Sequence, residues 1–64
     1  MKNECKFSPN DIKKIRLDMM LTQEEFAKLL GVSFASVNRY ENGKSVPTLK
    51  VQRKIKGLMG KGVN

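Results

Sequence analysis

The sequence predicts an all-α fold, a compact bundle of four short helices, and three observations carry that reading. Apolar residues recur at helical rather than alternating spacing, hydroxyl caps open segments at Ser8, Thr22 and Ser33, and Gly31 and Gly43 close two of them. A chain of 64 residues holds one domain, near the lower size limit for a core built without disulfides or metal. The ordered core is expected over residues 7–59, with frayed ends and the last four residues disordered.

The first helix starts at Ser8-Pro9-Asn10-Asp11, where a hydroxyl falls at the N-cap, proline at the first helical position and a carboxylate at the third. It should carry Ile12, Ile15, Arg16 and Met19 on one face and run to about Met19. Thr22-Gln23-Glu24-Glu25 is a capping box, with Phe26, Leu29 and Leu30 following at helical spacing. Gly31 ends this second helix, because glycine adopts the left-handed conformation of a helix end without steric cost. Ser33 then caps a third helix, Phe34 to Asn42, closed by Gly43. Val46-Pro47-Thr48 opens a fourth, in which Val51, Ile55, Leu58 and Met59 form an apolar stripe and Lys50, Arg53, Lys54 and Lys56 lie mostly off it. Gly57 and Gly60 should weaken its end.

Composition excludes several classes of function. No stretch approaches the roughly 20 apolar residues of a membrane span, and the charged start, Met1 to Lys6, is not followed by the apolar run of a secretory signal. A cytoplasmic location is the default. Cys5 is the single cysteine, read as an ordinary free thiol, and without histidine a Cys/His zinc site is excluded. Neither a cofactor, a small-molecule ligand nor an enzymatic activity is expected. The adjacent Glu24 and Glu25 point in different directions on a helix, so capping and dipole complementarity explain them better than acid/base chemistry. The net charge of +7 favours a polyanionic partner, and residues 43–64 hold six basic side chains and no acidic one.

The informative constellation spans residues 23–42. A small residue at Ala27 lets two short helices approach closely, Gly31 turns the chain, Val32 plugs the turn, and Val37 and Tyr40 anchor the third helix. Ser33, Phe34, Ala35, Asn38, Arg39 and Asn42 are left facing outward. The run Leu21-Thr22-Gln23-Glu24-Glu25-Phe26-Ala27-Lys28-Leu29-Leu30-Gly31-Val32-Ser33, followed by Val37-Asn38-Arg39-Tyr40-Glu41-Asn42-Gly43-Lys44 and Pro47, resembles the Cro/phage-repressor (XRE) helix-turn-helix family. The resemblance covers about three quarters of the chain. It implies a lambda-repressor-like domain that binds a double-stranded DNA operator, usually as a homodimer on a near-palindrome, and commonly represses transcription.

Individual contacts follow, each beside a plainer reading. Gln23 matches the family glutamine that clamps the DNA backbone, and it is also a good helix-starting residue. Arg39 can donate twice to guanine O6 and N7, or meet a phosphate or solvent. Asn38 can read adenine, hold a phosphate or simply be exposed. Phe34 departs from the polar residue common in the family; beside Ala35 it suits thymine methyls, unless it packs back onto the domain or a dimer partner. Ser33, Asn42, Lys44 and Thr48 flank the reading helix where backbone contacts are expected, with a solvated loop charge the alternative for Lys44. The resemblance also implies a partly buried pair between Arg16 and Glu41, against two independent surface charges.

The leading function is therefore a sequence-specific regulator, a repressor, that reads the major groove. An antitoxin or a restriction-modification controller would use the same reading helix. A protein-interaction module would dock through Phe34, Met20 and the basic fourth helix, a reading that Gln23, Arg39 and Lys44 oppose. For dimerisation, which in many relatives runs through a fifth helix or an additional domain, neither is expected here, which leaves Leu58, Met59 and Val63 as the apolar residues for a seam.

Overall fold

Each of the first three helices begins on a side-chain oxygen. In the computed structural model, which describes residues 7–62, the order is α1 (Pro9–Asp18), α2 (Gln23–Leu30), α3 (Phe34–Glu41) and α4 (Leu49–Gly62). Ser8 Oγ accepts from the Asp11 amide at 3.0 Å while the Asp11 carboxylate accepts from the Ser8 amide at 3.0 Å. Thr22 and Glu25 repeat this reciprocal box at 3.1 and 2.8 Å, and Ser33 Oγ accepts from the Ser36 amide at 3.1 Å. Two orphan amides are thus satisfied at each box. Thr48 starts α4 more weakly, its hydroxyl 3.4 Å from the Val51 amide.

The first three helices also end alike. The amides of Leu21, Val32 and Lys44 donate back to the carbonyls of Arg16, Ala27 and Arg39 at 3.2, 3.0 and 2.8 Å. This closure needs a left-handed residue just before each donor. Gly31 (φ 73°) and Gly43 (φ 74°) supply two, and Met20 (φ 59°) supplies the third. A side chain in that conformation costs about 1–2 kcal/mol, against about 0.5–1 kcal/mol for the extra unfolded-state freedom of glycine. Met20 is 89% exposed and has little packing to lose. Met20→Gly should therefore stabilise the domain by up to about 1 kcal/mol, read as a rise in melting temperature of several degrees. A lower melting temperature would show that the turn is not strained.

All four helices contribute to one core: Ile12 from α1, Phe26, Ala27 and Leu30 from α2, Val37 and Tyr40 from α3, and Val51 and Ile55 from α4. Ile15, Met19, Leu21, Val32 and Leu58 are partly buried around it. Two residues of the expected apolar faces lie outside. Leu29 is exposed, because Phe26, Leu30 and Ala27 span an arc of about 100° on α2 and Leu29 falls about 60° beyond its edge. Met59 is exposed at the rim of an open groove with Phe7, Ile15, Asp11, Lys14 and Asp18.

α4 also differs from expectation at its end. It continues through Gly57 and Gly60 to Gly62, so residues 61 and 62 are helical rather than disordered. A mid-helix glycine lowers helix stability by about 1 kcal/mol without forbidding the conformation, and Leu58 holds this stretch against the core. Cys5 and Val63 lie outside the described residues. Two polar side chains on α4 have structural partners that the sequence reading did not assign. Lys54 Nζ donates to the carbonyl of Leu30 at 3.3 Å, placing a cation at the C-terminus of α2, where the helix dipole favours it. Gln52 is buried and its Nε2 donates to the Pro47 carbonyl at 2.9 Å, tying the loop after α3 to α4. Among the described residues no helix is long and apolar enough to cross a membrane.

Candidate nucleic-acid interface

The three-residue turn Gly31-Val32-Ser33 sets α3 against α2, and α3 also packs on α1. Val37 and Tyr40 point into the core, with Glu41 next to them around the helix. At about 100° per residue, Phe34, Ala35, Asn38, Arg39 and Asn42 fall within an arc of about 140° on the other side. All five are exposed, as is the cap Ser33. Phe34 is 50% exposed, so half of its surface stays open to solvent. Lys44 and Thr48 are exposed just beyond the helix, although the Thr48 hydroxyl is partly engaged in capping α4. Ser33 Oγ is similarly shared with Ser36 Oγ at 3.0 Å.

Behind this face stands a buried ion pair. Arg16 Nε donates to Glu41 Oε2 at 2.7 Å and Arg16 Nη2 donates to Oε1 at 3.1 Å, a two-pronged fit of guanidinium to carboxylate. The remaining Arg16 Nη1 donates to the Leu21 carbonyl at 2.8 Å. One side chain thus joins α1, the turn into α2 and the last residue of α3. The side chains of Arg16 and Glu41 are 10% and 4% exposed. Burial by itself would raise the Glu41 pKa, but hydrogen bonds from Arg16 and Gln23 and the charges of Arg16 and Lys13 outweigh it. The carboxyl is held below its ordinary value.

Gln23 has a role that reading the sequence missed. Its half-buried amide donates through Nε2 to Glu41 Oε1 at 2.9 Å and accepts through Oε1 from Asn38 Nδ2 at 3.3 Å. Asn38 Oδ1 in turn accepts from Asn42 Nδ2 at 3.0 Å, and Asn42 Nδ2 also meets the Asn38 carbonyl at 2.9 Å. Three residues read separately as DNA contacts therefore form one chain of hydrogen bonds that starts at the buried carboxylate. The available signal was the acceptor capacity of Glu41, about four lone-pair positions, which one arginine does not exhaust. Sequence spacing cannot say which donor on a neighbouring helix fills the rest.

A glycine turn that seats one short helix on another, with one face of the second left exposed, defines a helix-turn-helix protein. A helix-turn-helix family model (HTH_3) matches residues 12–61. The chain belongs to this XRE-type helix-turn-helix family of DNA-binding regulators. No curated protein matches it.

Proposed function

We propose that this chain is a sequence-specific double-stranded DNA-binding protein and a transcriptional repressor, acting in the bacterial cytoplasm by laying α3 in the major groove. The observation that carries the reading is the outward face of α3, where Phe34, Ala35, Asn38 and Arg39 lie together while Val37 and Tyr40 hold the helix to the core. Arg39 is the guanine reader, Asn38 reads adenine, and Phe34 with Ala35 meets thymine methyls. Gln23, at the start of α2, and Ser33, Asn42, Lys44 and Thr48, at the two ends of the reading helix and just after it, contact phosphates. Two copies bind one operator, each on a half-site.

The test is selection of binding sites from a random duplex pool, followed by titration at two salt concentrations. One selected sequence should bind far more tightly than random duplex, with half-sites about one helical turn apart. Arg39→Ala should relax preference at one base pair, costing roughly 1–3 kcal/mol there while binding elsewhere in the site keeps its preferences. Equal and weak binding to every duplex would remove the regulator reading; unchanged preference in Arg39→Ala would remove the assignment of Arg39.

A further inference from the structure

The hydrogen-bond chain behind the reading face has a fixed direction. Glu41, ionised and paired with Arg16, can only accept, so Gln23 must turn Nε2 toward it and Oε1 away. Gln23 Oε1 then needs a donor, and Asn38 meets it with Nδ2 rather than Oδ1. Asn38 Oδ1 is left on the other side, where Asn42 Nδ2 donates to it. The order of nitrogen and oxygen in the exposed Asn38 amide is therefore set by a buried charge two hydrogen bonds away.

That order has a consequence for recognition, given the DNA-binding reading proposed above. The major-groove edge of adenine offers an acceptor and a donor side by side, so an asparagine satisfies it in one orientation of its amide. An unanchored amide turns over at little cost and adapts to either order. We propose that Gln23 is a positioning residue for base recognition: pinned by Glu41, it fixes the orientation of the Asn38 amide and thereby the base pair that Asn38 accepts. Each amide nitrogen carries two hydrogens and only one is used toward Gln23 or Glu41, so a donor remains on Gln23 and on Asn38 for DNA.

The experiment compares discrimination at single base pairs rather than affinity. Asn38→Ala, titrated against the selected operator and its single-base variants, identifies the base pair that Asn38 reads, where discrimination on the order of tenfold or more should be lost. Gln23→Met keeps the length of the side chain and removes both hydrogen bonds. It should cut discrimination at that same base pair to within about threefold, leaving the base pair read by Arg39 unaffected. Asn42→Ala removes the anchor on the other side of Asn38 from an exposed position, and should relax the same base pair even if Gln23→Met does not fold. A Gln23→Met protein that loses affinity for all sequences by one common factor, preference intact, is a backbone clamp only and overturns the proposal. So does an Asn38→Ala protein with unaltered preferences. Wild-type protein that selects no site at all marks a different failure, that of the DNA-binding reading itself.

Discussion

Glu41→Ala should destabilise the domain by about 3–5 kcal/mol, because it leaves the Arg16 guanidinium buried without its counter-charge. A chain of this length has a total stability of about 3–10 kcal/mol, so the loss removes roughly a third of it at the least and all of it at the low end of that range. The pair as a unit is a smaller contributor, since desolvating two charges offsets much of their attraction. Replacing Arg16 and Glu41 together by methionine and leucine should accordingly recover much of the loss. The pH dependence has a definite sign. Glu41 is held below its ordinary pKa in the folded protein, so its contribution is complete above about pH 4.3, the unfolded glutamate value, and is lost as pH falls through the lower folded value. In urea titrations, Glu41→Gln should be less stable than wild type at pH 7, and the gap should narrow below about pH 4. A gap that stayed constant to pH 2 would mean that the ionised carboxylate does not carry the effect.

Phe26→Ala should cost a similar amount, about 3–5 kcal/mol, for an unrelated reason. Phe26 is fully buried in the cluster to which all four helices contribute, and truncation removes a ring without moving helices that are held elsewhere by caps and by Arg16. It also sits five residues after Leu21 across the Thr22 cap, the register of a hydrophobic staple that sets how the chain enters α2. Phe26→Leu fills most of the space and should cost less than about 1.5 kcal/mol. Denaturation followed by helical circular dichroism distinguishes these values, and a Phe26→Ala protein within 1 kcal/mol of wild type would show that the core closes around the gap.

Much of the fold could be read directly from local signals. Ser8, Thr22 and Ser33 are caps whose partners lie three residues away, and Gly31 and Gly43 are turn residues whose role depends on their own backbone angles. Such interactions are written within a few positions of sequence. The outward face of α3 was legible for the same reason, because the positions of Val37 and Tyr40 leave the opposite side of one helix to solvent. Met20 shows the limit of the glycine rule: the turn after α1 takes the same left-handed form without the residue that announces it.

The sequence by itself determined four helices, their caps, the two glycine turns and the residues left exposed on α3, because each depends on neighbours along the chain. Tertiary structure alone decided which polar side chains belong to the scaffold. Lys54, placed by the sequence only among the basic residues off the apolar stripe of the fourth helix, caps α2; Gln52 anchors a loop; and Gln23 and Asn38, read as independent contacts, form one hydrogen-bond chain from Glu41. Their partners are five to 24 positions distant or on another helix, and a donor meets its acceptor only once the core has fixed the helices against each other. Hydrogen bonds act over about 3 Å, a distance that periodicity along one helix does not specify.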